Sequence, residues 1–141
     1  MLETQLYILK TTWGFVGIAW DSLGVRQITL PDPTAKTCQK RFDSNNLHKT
    51  LKNVPKKIQR LCTNIVNYFA GDRTKFSREI KFNWQSLSAL QIKVLAKAFE
   101  IPYGQTLAYS ELAEKCGLPG GARFVGNTLG RNPFPLLVPC H

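Results

Sequence analysis

The chain has 141 residues, 43% of them hydrophobic, which fits one ordinary domain or two small ones and excludes global disorder. No apolar run is long enough to span a membrane, and Met1-Leu2-Glu3 opens without the basic and apolar stretches of a signal peptide, so an intracellular protein is expected. Nineteen Lys and Arg against nine Asp and Glu give a net charge of +10, which points to a polyanionic partner, most simply nucleic acid.

The charge is uneven: residues 1–83 hold fourteen basic and six acidic side chains, residues 84–141 only five and three. A basic first part would steer the chain to DNA in a salt-dependent way, while the run Lys49 to Arg60 reads equally well as a solvated surface. Leu6-Tyr7-Ile8-Leu9 and Phe15 to Trp20 are β-rich runs. Turn residues Asp21-Ser22-Leu23-Gly24 separate the second from a third over Val25 to Leu30, and Pro31-Asp32-Pro33 ends pairing, which predicts an antiparallel meander. A polar helix is expected over Thr34 to Phe42 and a long basic loop from Asp43 to Val54. Pro55 fits the first helical position, and Ile58, Leu61, Ile65 and Phe69 follow at helical spacing until Gly71. Phe76, Ile80 and Phe82 predict a short strand, and Trp84 to Leu87 a linker.

The rest carries helical signals. Ser88-x-x-Gln91 is a capping-box pattern, in which each side chain can satisfy an orphan N–H of the other residue. Leu90, Val94 and Ala98 form an apolar stripe, with Ile92, Leu95 and Phe99 beside it, and the helix must end before Pro102-Tyr103-Gly104. A second helix is expected from Tyr109 to Cys116, stopping at Gly117, and a third from about Gly121 to Leu129. Short helices with a Gly-containing connection read as a helix-turn-helix. The expected fold class is therefore a two-part α+β or α/β chain: a small antiparallel sheet with helices over 1–83, and a helical domain over 84–141.

Four cysteines (Cys38, Cys62, Cys116 and Cys140) make no C-x-x-C pair, and His48 and His141 are the only histidines, so no zinc site and no cofactor are expected. Three of the cysteines are expected to stay reduced and partly buried. Cys140 differs, because it ends the segment Asn132-Pro133-Phe134-Pro135-Leu136-Leu137-Val138-Pro139-Cys140-His141. Three prolines fix φ there and hold the chain extended. A nucleophile so placed gains from proximity and orientation, worth about 7–11 kcal/mol in favourable cases. His141 could take the thiol proton, yet in an extended chain neighbouring side chains point to opposite faces, so the pair cooperates only if the chain turns there. By itself the dipeptide reads far more readily as structural than as catalytic.

Ile101-Pro102-Tyr103-Gly104-Gln105-Thr106, Tyr109-x-x-Leu112-Ala113, Ala122-Arg123-x-Val125-Gly126, Asn132-Pro133 and Pro139-Cys140-His141 occur in this order and spacing. Together they resemble the C-terminal domain of the O6-alkylguanine-DNA alkyltransferases, also called methylated-DNA–protein-cysteine methyltransferases; Tyr68-Phe69-Ala70-Gly71 and Leu90-Gln91-x-x-Val94 fit the same pattern. The resemblance implies an RNase H-like N-terminal part (1–83) and a winged-helix-like C-terminal DNA-binding and catalytic part (84–141). It implies a monomer acting in the cytoplasm, or the nucleus of a eukaryote, on double-stranded DNA that contains O6-alkylguanine, with O4-alkylthymine as an alternative substrate. Cys140 would be the alkyl acceptor, consumed in a single turnover, and His141 the base acting through a water molecule. Arg123 would fill the gap left by a flipped nucleotide, and Tyr109 would rotate the target's phosphate and donate to the base. Asn132 would hold the loop leading to Cys140, and the Val138 carbonyl would read the guanine edge. Ala122 and Gly126 lie on the helix that would face the minor groove. A helix-interior glycine costs about 1 kcal/mol relative to alanine, so Gly126 serves a close approach, either to that groove or to a neighbouring helix. Gly130 reads as a C-terminal cap.

The family pattern continues beyond Pro-Cys-His with an Arg, a Gly-rich loop and a last helix whose glutamate orients the histidine. On that ground the chain as written is expected to transfer alkyl groups poorly or not at all, and the longer natural protein to be active. Ala108 stands where Ser or Thr usually caps the second helix, an expected cost of about 1 kcal/mol. Phe124 and Asn127 replace small residues. Rival readings are a non-catalytic binder of alkylated DNA, a thiol-sensing helix-turn-helix regulator with major-groove readout and, last, a cysteine hydrolase, for which an oxyanion site is missing.

Overall fold

The computed structural model describes residues 4–42, 47–49, 54–72, 80–85, 87–101 and 107–134. The chain divides into two units, Met1–Asn83 and Trp84–His141.

In the first unit, β1 (Thr4–Thr11), β2 (Gly14–Asp21) and β3 (Gly24–Ile28) pair antiparallel as a meander. β2 is buried along most of its length, because it is flanked on both sides and covered on both faces. One face holds Leu6, Ala19, Cys38 and Phe42, with Cys38 supplied by α1 (Ala35–Gln39). Trp20, next along β2 and so directed to the other face, lines a groove with Val25 and with Ile58 and Leu61 of α2 (Lys56–Phe69). The spacing of Ile58, Leu61 and Ile65 buries one side of α2, as its periodicity predicts.

Four expectations for this unit change. The stretch expected as a loop contains β4 (Leu47–Lys49), which adds to β1 in parallel, so the sheet is mixed, with order β3-β2-β1-β4. A three-residue edge strand needs only backbone bonds and leaves no alternation to read. Asp32 does not end pairing: it exchanges both backbone bonds with Phe15 at 2.7 and 2.8 Å, since Asp32 itself keeps the N–H its flanking prolines lack. Arg41 then clamps the Asp32 carboxylate through two bonds of 2.7 and 2.8 Å. Pro55 is the N-cap of α2, one place before the expected position. Of the strand expected at Phe76 to Phe82, residues 76–79 lie outside the described residues, and the described part contributes a parallel bridge, Phe82 to Val25.

That bridge ties the end of the unit to its centre. Gly24 has φ +140°, and a Cβ there would meet the Lys81 carbonyl oxygen at 2.3 Å, so only glycine lets the chain pass. Beside it, the fully buried Asp21 carboxylate accepts from Asn83 Nδ2 at 2.7 Å and from the Leu23 N–H at 2.9 Å.

In the second unit, α3 (Ala89–Phe99) opens with the expected capping box, in which the Ser88 N–H donates to Gln91 Oε1 at 2.9 Å and the Gln91 N–H to Ser88 Oγ at 3.2 Å. Its buried face is Val94, Leu95 and Ala98; Leu90, in the first turn, stays 48% exposed and lies off the stripe. α4 (Tyr109–Lys115) and α5 (Ala122–Gly130) pack on each other and on α3, joined by a short turn. Ala108 does leave α4 without a side-chain cap at its start, but Glu111 Oε1 accepts from the Ala108 N–H at 3.2 Å and supplies half of a capping box. Gly130 is the last residue of α5 rather than its cap, which is Arg131. Among the described residues no helix is long and apolar enough to cross a membrane.

Candidate functional site

α5 is amphipathic. Val125, Thr128 and Leu129 face inward, and Thr128 Oγ1 donates to the Phe124 carbonyl at 2.8 Å, so its hydroxyl is satisfied. Ala122 and Gly126 lie at the edge of that buried side and are half-buried, while Arg123, further round the helix, is exposed. Tyr109, at the first position of α4 and 41% exposed, lies against Gly126: a Cβ built there would stand 3.1 Å from Cε2 and 3.2 Å from Cδ2 of its ring. The structure thus brings Tyr109 to Gly126, with Ala122 and Arg123 on the same helix. The alternatives for Gly126 narrow too, because its missing side chain admits an aromatic ring of the neighbouring helix.

Arg123 is exposed in the first turn of α5. The helix dipole disfavours a cation there by about 0.3–1 kcal/mol at low ionic strength. Among the described residues it has no ion-pair partner to offset this. A guanidinium beside free helix N–H groups is suited to an anion.

After α5 the chain turns sharply. Asn132 Oδ1 accepts from the Phe134 N–H at 2.8 Å, an Asx turn, and the Asn132 N–H donates to the Leu129 carbonyl at 3.2 Å. Phe134 is completely buried and meets the Trp84 ring edge-on, with centroids 5.4 Å apart and an interplanar angle of 80°. Reading the sequence as a linker at Trp84 missed this pair; the available signal was an aromatic between two prolines at Phe134. Val138, Cys140 and His141 lie outside the described residues.

The other cysteines are poor nucleophiles. Cys38 and Cys116 are buried, Cys62 is partly so, and all three are free thiols. Burial raises the thiols of Cys38 and Cys116, and that of Cys62 up to about 11. Among the described residues no group of three or more His, Cys, Asp or Glu could hold a metal ion.

Residues 89–141, beginning with α3 and including α4 and α5, match the family model for the DNA-binding domain of 6-O-methylguanine DNA methyltransferase. The likeness extends over nearly the whole chain in an inducible methylated-DNA–protein-cysteine methyltransferase of Bacillus subtilis, 34% identical over 139 residues, which are 99% of this chain and 70% of that protein. The chain belongs to the methylated-DNA–protein-cysteine methyltransferase family. A relative of the same name from Mycolicibacterium paratuberculosis is 45% identical over 74 residues, 52% of this chain; the match spans 43% of that relative's own length. Among solved structures, Mycobacterium tuberculosis OGT in complex with DNA superposes with a TM-score of 0.74 at 26% identity, covering 97% of this chain and 76% of that one. The α+β architecture is shared with it.

Proposed function

We propose that the protein repairs alkylated DNA directly, moving a methyl or larger alkyl group from O6 of guanine in duplex DNA onto the sulfur of Cys140. The observation that carries this reading is the packing of Tyr109 on Gly126 of α5, the helix that also presents an exposed Arg123 and whose end is fixed by Asn132 and Phe134, in a chain of this family. A stacked base cannot meet a protein sulfur, so the damaged nucleotide is turned out of the duplex at a cost of a few kcal/mol. Arg123, long, planar and cationic, fills the vacancy, and Tyr109 rotates the target's phosphate. Cys140, as thiolate, attacks the alkyl carbon. The S–C bond forms as the C–O6 bond breaks, and the bonding pair stays on the guanine oxygen. The thiol proton leaves to His141 through a water molecule, and Tyr109 donates a proton to the departing base, restoring guanine. The thioether does not revert, so each molecule acts once and no cofactor is used. The Val138 carbonyl reads the guanine edge, and Asn132 holds the approach to it.

On this reading Trp84–His141 is a winged-helix-like DNA-binding and catalytic part, supported by the α4–α5 pair. Met1–Asn83 is an RNase H-like part whose positive charge adds salt-dependent attraction to DNA. The protein works as a monomer in the compartment that holds the DNA. The test is incubation with a duplex containing O6-methylguanine, followed by intact mass and peptide mapping. Uptake by the chain as written is expected to be slow; any methyl gained is expected on Cys140, at no more than one per molecule, and Cys140→Ala should keep duplex binding while losing it. Uptake on Cys38, Cys62 or Cys116, or loss of duplex binding in Cys140→Ala, overturns the proposal.

A further inference from the structure

We infer that Gly126 is a positioning residue for Tyr109, setting where the tyrosine hydroxyl stands before DNA is met; the inference rests on the reading above. Glycine is unfavourable inside a helix, and α5 carries one at the half-buried position against which the Tyr109 ring packs. The other glycine of α5, Gly130, would place a Cβ in open space, with no atom within 4 Å. At Gly126 an alanine Cβ would stand 3.1 and 3.2 Å from two ring carbons, inside the roughly 3.5–4.0 Å at which carbons rest.

Tyr109 is 41% exposed, so the ring, rather than either backbone, gives way. It has to move by a few tenths of an ångström. The hydroxyl, at the far end of the ring, swings with it, while the inward-facing Val125, Thr128 and Leu129 stay in place. A misplacement of about 1 Å can cost about a hundredfold in rate, so a few tenths should cost about four- to tenfold. Duplex affinity, which depends on charge and groove contacts, should hardly change.

The experiment is a double-mutant cycle on the rate of methyl uptake from an O6-methylguanine duplex. Gly126→Ala is expected to slow transfer about four- to tenfold while the Kd for undamaged duplex stays within about twofold. On a Tyr109→Ala background, where no ring remains to be displaced, Gly126→Ala should have no further effect. Equal losses on both backgrounds, or weakened binding to undamaged duplex, would mean that the added methyl meets DNA itself and would overturn the inference. Fluorotyrosine labelling reads the contact without activity: Gly126→Ala should shift the fluorine resonance of Tyr109, assigned through Tyr109→Phe, and an unmoved resonance overturns the inference. A wild-type protein that takes up methyl on a cysteine other than Cys140 overturns the reading under Proposed function, and the fluorine shift, which needs no transfer, keeps that failure distinct from this one.

Discussion

Replacing Phe134 with alanine tests whether the end of α5 is anchored as its geometry implies. The ring is fully buried and meets Trp84 edge-on at 5.4 Å. Truncating a buried Phe costs about 3–5 kcal/mol, and an aromatic pair contributes about 0.5–1.5 kcal/mol beyond the area it buries. The loss should therefore fall in the upper part of the first range, about 4–5 kcal/mol. That is a large share of the roughly 5–15 kcal/mol by which a protein of this size is stable. With a urea slope near 2 kcal/mol per molar, the unfolding midpoint should drop by about 2 M. Circular dichroism during urea titration measures it, and hydrogen exchange of the α5 amides assigns the loss to the second unit. Phe134→Leu, which keeps apolar volume but not the ring pair, should recover most of the stability. A Phe134→Ala loss below about 1 kcal/mol, within the range of ordinary surface changes, would refute the anchoring argument.

Two further outcomes follow from the same coordinates. Arg41 beside Asp32 holds its carboxyl below the ordinary value of 3.8, so the contribution of this pair is present above that pH and is lost as pH falls through the folded value. Arg41→Met should be less stable than wild type near about pH 6 and lose less stability on acidification, so that the gap between the two closes as pH falls through the folded value; thermal melts between about pH 2 and 6 that superimpose on wild type would show that the pair contributes nothing. With the Cys62 thiol near 11, about one molecule in a thousand carries its thiolate at pH 8, and burial also raises Cys38 and Cys116. A thiol reagent should therefore modify these three slowly in the native protein and rapidly in urea, and fast native modification of any of them, located by peptide mapping, would contradict their burial.

What could be read from the sequence was what is written locally. Ser88 and Gln91 announce the start of α3 because both partners lie within one turn, and Gly117 announces the end of α4 by its left-handed φ of +72°. The apolar run of β2 and the spacing along α2 gave their elements for the same reason. β4 was missed because a short parallel edge strand is held by backbone bonds, and Asp32 because the prolines around it outweighed its own free N–H. Tyr109, Arg123 and Asn132 drew attention through their motifs, and of these the structure shows the Asn132 turn and the Tyr109 ring on α5. For Gly126 the sequence offered a close approach to a neighbouring helix as one of two alternatives but not the ring involved, and Phe134 was not legible, since its partner Trp84 stood alone among polar neighbours. Contacts between distant residues leave no periodicity behind.

The pairing of Trp84 with Phe134 also bears on how the protein can be dissected. The family match begins at residue 89, which makes Ala89 a tempting first codon for a minimal fragment. Trimming there would discard the serine that caps α3 and the indole that closes over Phe134, leaving an apolar hole beneath the very turn that leads toward Cys140. A useful fragment should begin upstream of Trp84, where the second unit itself begins.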